Sequence, residues 1–517
     1  MSSAERSDDA DPTTVDPRRN PRALPPLVAD VAARDGWRQA AAVIQRNWDA
    51  FASAAPQQLL EALKALPGEA FVETPGLLVA ANYLQHITID GDPRRFFHDG
   101  RLVAPPGEPR ATDLNALILL TAEAAGARTA GQLQEAQRVA EQARDALLGL
   151  SAAERAPIAG SIPHLRFQWG RTLDAADAPG ALAEYEEAYQ VARLTAQPVI
   201  ARRSAGHIAW FHAERGRLRL ADLWLARAQA EPATNGRYDV VVFLTSALLK
   251  HDREDPDAPR DLARALGLRL GEHWAAALWM AAMMERTKPG ASTVHSRLEL
   301  ELERHPEARD LRGANGRYIK AAHARLARLR PRLRAAAPLP DVPTALDHVL
   351  AATTAHLRGD HSEALMHSDE ALAMSSVPRV EAPASLIAAA SHLALGHSRT
   401  AADAFRIANR VIADERMLSA YWFVPAATVA ALAELAEEPI HSATLAGGSA
   451  PARPRLTKRE REILELLATG RSMARIATEL YISPNTLKST VRALYRKLGV
   501  SSRAAAADVA RNALDGH

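Results

Sequence analysis

The chain has 517 residues, 47% hydrophobic and only 5% aromatic, with a formal net charge of +2 and no cysteine. That hydrophobic share excludes a wholly disordered chain, and the missing cysteine excludes disulfides, thiolate metal sites and cysteine nucleophiles. Ala, Leu, Arg and Glu supply most of the rest, so the expected fold is all-α.

Residues 1–26 mix Asp, Arg, Pro, Ser and Thr without apolar periodicity and read as a disordered tail. They hold no apolar stretch of the signal-peptide kind. The longest uninterrupted apolar run, Trp274–Met284, is 11 residues, too short to span a bilayer. No membrane partner and a cytoplasmic location are therefore expected.

From 27 to 436 helical periodicity dominates, and one pattern recurs. A glycine is followed five residues later by Ala, then by a second residue after four and by Ala after three more. It reads Gly131, Ala136, Ala140, Ala143, then Gly216, Ala221, Leu225, Ala228. It returns as Gly359, Ala364, Ser368, Ala371 and as Gly396, Ala401, Phe405, Ala408, while Ala181, Tyr185, Ala188 lack only the glycine offset. Glycine permits a tight turn between two helices, and small residues let the second helix approach the first. This resembles the tetratricopeptide repeat, which implies a superhelical array of helix hairpins. The 143 residues between Ala221 and Ala364 leave room for units that the pattern does not phase.

Within this region 295–305 alternates Leu and Glu like a strand but is read as helix, because both residues favour helices. All eight Trp lie here, and core packing is the commoner role for them than a ligand pocket. The 18 His show no metal spacing such as H-E-x-x-H. Residues 312–317, RGANGR, read as a glycine turn with flanking arginines, an ordinary loop between helices in preference to an anion site. No metal, cofactor or catalytic constellation is expected, and therefore no enzyme.

Residues 437–455 break the periodicity with paired glycines and prolines and read as a linker. The C-terminal segment, 456–517, holds 11 Lys and Arg against 6 Asp and Glu, a net +5 that leaves −3 for the rest of the chain. A basic excess confined to one short segment is the footprint of a nucleic-acid partner.

Thr457 with Glu460 forms a capping box for a first helix that stops at Gly470. Ser472 caps a short second helix. Ser483, with Pro484 at the first helical position, starts a third that runs to Leu498 and Gly499. A fourth starts near Ser501 or Ser502. On the third helix Leu487, Val491, Leu494 and Leu498 fall within about 60° of one another, while Lys488, Ser489, Arg492 and Arg496 share a separate face about 100° wide. Leu466, Ile476, Leu480 and Ile482 complete the apolar set. Between 484 and 498 stand four cations and no acid, an arrangement that repels itself until phosphates neutralise it. Lys497 points elsewhere and, with Arg471, Arg475, Ser483, Asn485 and Thr486, is a candidate for phosphate contact.

Residues 456–500 closely resemble the LuxR-type helix-turn-helix. Leu456-Thr457, Arg459-Glu460, Glu462, Gly470, Ile476-Ala477, Leu480, Ile482-Ser483, Thr486-Leu487-Lys488 and Lys497-Leu498-Gly499-Val500 carry the match. The resemblance implies that Lys488, Ser489 and Arg492 face the major groove of double-stranded DNA. It also implies a fourth helix that makes a homodimer contact, and RNA polymerase as a further partner. Two departures stand out: Met473-Ala474-Arg475 where the family has Asn-Lys-Glu, and Thr490 where it often has His. Helical repeats ahead of such a domain resemble the C-terminal part of the large ATP-binding LuxR-type regulators. No Gly-Lys dipeptide occurs, so no Walker A loop can be written and no ATP hydrolysis is expected. The expected function is a transcriptional regulator whose repeats sense a small-molecule or protein effector. The alternative is a repeat-based adaptor whose terminal domain binds protein.

Overall fold

The computed structural model describes residues 13–17, 19–89, 114–233, 239–329 and 339–442, and in the C-terminal part 445, 462–463, 466–467, 471–480, 482–483, 486–488, 490–491 and 494. Among the described residues every regular element is a helix. The chain divides into two compact units, 1–442 and 443–517.

The first unit begins with α1 (Leu24–Asp35), α2 (Trp37–Ala54), α3 (Pro56–Lys64), α4 (Gly68–Glu73) and α5 (Pro75–Ile89). These bury Leu24, Val28, Phe51, Leu59, Leu63 and Leu84 in a core of their own. Part of the segment read from composition as a tail is held here. The Val15 amide donates to Asn47 Oδ1 at 2.8 Å, Asn47 Nδ2 donates to the Thr13 carbonyl at 2.9 Å, and α1 starts at Leu24. Val15 also packs on the core of α1–α5, an anchor that polar composition conceals.

The unit continues in hairpins. They are α6 (Leu114–Thr129) with α7 (Leu133–Gly149), α8 (Ile162–Ala175) with α9 (Ala181–Leu194), and α10 (Pro198–Glu214) with α11 (Leu218–Ala230). Next come α12 (Val240–Asp252) with α13 (Ala258–Leu266), then α14 (Trp274–Met284), α15 (Lys288–Arg304) and α16 (Gly313–Leu329). The last are α17 (Ala345–Arg358) with α18 (His361–Met374), α19 (Pro378–Ala394) with α20 (Ser398–Glu415), and α21 (Ala426–Ala436). Gly131, Gly216, Gly359 and Gly396 each hold positive φ at a hairpin turn, between 74° and 84°. Five residues on, Ala136, Ala221, Ala364 and Ala401 are fully buried, as are Ala143, Ala228, Ala371 and Ala408 about two turns later. The small side chains let paired helices approach; a Cβ on Gly170 of α8 would stand 2.7 Å from the Tyr185 ring of α9.

The alternating segment 295–305 lies in α15 up to Arg304, with Leu298 buried and Leu300 exposed. Residues 313–317 are not a turn but the start of α16, and a Cβ on Gly316 would collide with the Leu311 backbone. Of the tryptophans, 169, 210, 224, 274 and 279 are buried. The Trp169 indole donates to Thr121 Oγ1 and the Trp210 indole to the Tyr318 hydroxyl, both at 2.8 Å.

Charge ties the hairpins together. Arg317 of α16 pairs with Asp177 at 2.8 Å and with Glu214 of α10 at 3.4 Å, and Glu214 also accepts from the Tyr318 hydroxyl. Arg128 of α6 donates to Glu272 at 2.8 Å and to Thr172 of α8 at 2.8 Å. Arg379 of α19 reaches back 127 positions to the buried Asp252 of α12 at 2.6 Å. Beyond α21 the first unit extends to Ser442, whose hydroxyl donates to Glu254 at 2.8 Å. The start of the segment read as a linker is thus fastened to α12's end.

Candidate nucleic-acid interface

In the second unit the sequence builds a small core from short helical pieces. Ser472 caps α22 (Met473–Glu479), its hydroxyl accepting from the Arg475 amide at 3.3 Å. With Arg475 at the third position there is no carboxylate to return the bond, so half of a capping box is missing. The chain then turns through Ile482, whose amide donates to the Ala477 carbonyl at 3.0 Å. Ser483 caps the next helix: its hydroxyl accepts from the Thr486 amide at 3.1 Å, and its carbonyl accepts from the Leu487 amide at 3.0 Å.

Ile463, Leu467, Ile476, Ala477, Leu480, Leu487, Val491 and Leu494 are buried together, with Leu466, Met473 and Ile482 packed against them. Seven of the eight residues read as the helix-turn-helix core therefore meet in one cluster. Leu498, the eighth, lies outside the described residues. On the same helix Lys488 is exposed while its neighbour Leu487 is 0% exposed, so the cation points away from the core. Ser489, Arg492, Arg496, Asn485 and Lys497 lie outside the described residues, as do Thr457 and Glu460. Thr490, at the position where the family often has His, donates its hydroxyl to the Thr486 carbonyl at 2.8 Å.

The candidate phosphate contacts divide. Arg475, Ser483 and Thr486 are exposed, although Ser483 and Thr486 already bond to each other at 2.8 Å through their hydroxyls. Arg471 is held by Glu479 in an ion pair across α22. That partner was not read from the sequence. The signal was present as opposite charges at the two ends of one short helix.

The first unit carries a large cavity of about 1340 Å³. Trp279, Met283, Tyr318, Arg325, Trp422 and Phe423 are among its lining residues. These side chains come from elements spread over some 140 positions, which no local pattern announces. No group of three or more His, Cys, Asp or Glu suited to a metal occurs among the described residues, and no described helix is long and apolar enough to cross a membrane.

Residues 454–510 match the model of the bacterial regulatory proteins of the luxR family. Over 58 residues the chain is 55% identical to a probable transcriptional regulatory protein NarL of Mycobacterium tuberculosis, which is 11% of this chain and 27% of that protein. Over 51 residues it is 51% identical to the nitrate/nitrite response regulator protein homolog of Haemophilus influenzae, 10% of this chain and 24% of that protein. The chain thus spans about a quarter of the length of these relatives. It is also 44% identical over 54 residues to the spore germination protein GerE of Bacillus subtilis, 10% of this chain but 73% of that protein. On this match, carried by the helices built around Ile476 and Leu487, the chain belongs to the luxR family of bacterial regulatory proteins.

Proposed function

We propose that this chain is a DNA-binding transcriptional regulator. The helix capped by Ser483 enters the major groove, where Lys488, Ser489, Arg492 and Arg496 meet base edges. Arg475, Ser483, Asn485, Thr486 and Lys497 meet phosphates, and Arg471 does so if it leaves Glu479. The observation that carries the reading is that one helix buries Leu487 and Val491 while Lys488 stands in solvent, in a stretch whose sequence adds Arg492, Arg496 and Lys497 and no acid. The NarL relatives, probable transcriptional regulatory proteins by their descriptions, share this segment at 55% identity. The protein binds as a homodimer that engages RNA polymerase, and the array of helix hairpins in 27–436, of tetratricopeptide type, senses an effector in its cavity.

The test is binding of the full chain to duplex DNA across a salt series. Neutralising Z phosphates gives a slope of log affinity against log salt of about −0.9Z. Binding at about 50 mM salt that collapses towards 200 mM supports the reading. No duplex binding at the lower salt overturns it and favours an adaptor that binds protein.

A further inference from the structure

Most cations that line the cavity of the first unit are neutralised. Arg317 pairs with Asp177 and Glu214, Lys320 with Asp347 at 2.6 Å, and Arg379 with Asp252. One end differs. Arg325 and Arg328 stand three positions apart on α16 and so share a face, and both line the cavity beside Trp422 and Phe423. Arg286, just beyond α14, lies over the Trp422 ring with its guanidinium carbon 4.9 Å from the centroid. None of these three arginines is in an ion pair among the described residues.

Their hydrogen bonds go to backbone. Arg325 Nη2 donates to the Glu285 carbonyl at 2.9 Å, and Arg328 Nη2 donates to the Trp422 carbonyl at 2.6 Å and the Phe423 carbonyl at 3.3 Å. The nearby carboxylate of Glu285 is spent on its own loop, accepting from the Arg286 and Thr287 amides and the Thr287 hydroxyl at 2.7–2.8 Å. The electrostatic cost is visible in both half-buried guanidiniums. Burial and then the charge of Arg286 lower the Arg325 pKa against the pull of Glu285. Burial and then the charge of Arg325 lower Arg328 to about 10. Two half-buried like charges with no ion pair to a carboxylate, and only the partial pull of Glu285 on one of them, are an unfinished arrangement.

We propose that this end of the cavity binds a small organic anion, its carboxylate or phosphate held by Arg325 and Arg328 and its apolar body lying against Trp422 and Phe423. An anion there supplies the missing countercharge. Guanidinium forks match the planar oxygens of carboxylate and phosphate, and the aromatic walls accept a planar apolar body. The inference rests on the reading of the helical unit as a sensor and names the class of its effector.

Calorimetric titration of the full chain tests it with benzoate, phenyl phosphate, inorganic phosphate and the neutral benzamide. At least one organic anion is expected to bind at millimolar concentration or below, and benzamide is not. Which anion binds assigns the site to carboxylates or phosphates. Arg325→Gln is expected to weaken that binding roughly tenfold or more, the effect of losing a charge-assisted hydrogen bond. Because Arg325 also holds the Glu285 carbonyl, the exposed Arg286→Gln serves as a second variant and is expected to weaken binding several-fold without loss of melting temperature. Benzamide binding as well as benzoate overturns the anion assignment and leaves a sensor for neutral ligands. So does wild-type binding by both variants. If no probe binds while the same sample still binds duplex DNA, this inference fails and the regulator reading stands.

Discussion

At the scale of single residues, the side chains proposed to face DNA differ in what else they do. Lys488 is exposed, so on the proposed reading its loss removes a contact to DNA and little else. Lys488→Ala is therefore expected to weaken binding to the preferred duplex by about 1–3 kcal/mol and to relax discrimination at one base position. Lys497→Ala should instead lower the salt slope by about one and leave sequence preference unchanged. Competition titrations with specific and random duplexes separate the two, and equal losses on every sequence would sink the division. Arg471 is a different case. Its ion pair with Glu479 is half-exposed and worth little on its own, so Glu479→Gln removes that pairing at small cost in stability. If Arg471 meets phosphate, Glu479→Gln tightens binding to all duplexes alike.

At the scale of elements, hairpin turns and helix caps make separable contributions. Gly216 has φ +78° and an added Cβ would stand 2.7 Å from the Arg379 backbone nitrogen, across a contact between α10's end and α19. Gly359 has φ +84° and nothing within 4 Å. Gly359→Ala carries only the left-handed backbone penalty, of the order of 1 kcal/mol, whereas Gly216→Ala adds a backbone collision. Thermal melting should thus fall further for Gly216→Ala, and equal shifts would remove the packing argument. In the second unit the core is small, so Leu487→Ala is expected to cost about 2–5 kcal/mol and to abolish duplex binding while leaving the transition of the first unit in place. Scanning calorimetry of the full chain resolves that outcome.

The same elements explain what could be read in advance. Where a turn needs positive φ and is given glycine, the hairpin was legible, as at Gly131, Gly216, Gly359 and Gly396. Between Ala221 and Gly359 not every hairpin turn carries that glycine. Glu254 takes φ 58° between α12 and α13, so the glycine marker is missing where a hairpin still forms. The apolar stripe of the helix after Ser483 was legible because its period is local. The association of Arg325 and Arg328 with Trp422 was not, because it depends on α16 meeting a turn about 95 positions later.

At the scale of the whole first unit, buried titratable groups make stability depend on pH, and their signs oppose. Burial, reinforced by Glu214, pushes the Asp174 carboxyl up to about 7 against the pull of Arg215 and Arg317. For Glu214 burial also pushes upward, but Arg317 and Arg215 outweigh it and hold the group below its ordinary range. Burial lowers His212, His251 and His273 to about 4, with Arg217, Arg379 and Arg171 respectively adding to it and Asp252 and Glu272 opposing it at His251 and His273. A histidine whose folded pKa lies below its unfolded value of about 6.5 loses its contribution as pH falls from there towards 4. Asp174 behaves oppositely: its contribution is full below the unfolded carboxyl pKa near 4 and is lost as pH rises through about 7. Three histidines outweigh one aspartate below about pH 6.5, so the melting temperature should climb from pH 4.5 to 6.5. It should then level off above about pH 7, where the histidines are neutral in both states and Asp174 is ionised in both. Asp174→Asn keeps the shape and removes the titration, so the variant should rise more steeply than the wild type from pH 4.5 to about 7 and level off likewise above it. Equal slopes for wild type and variant from pH 4.5 to 7 would remove Asp174 from this balance.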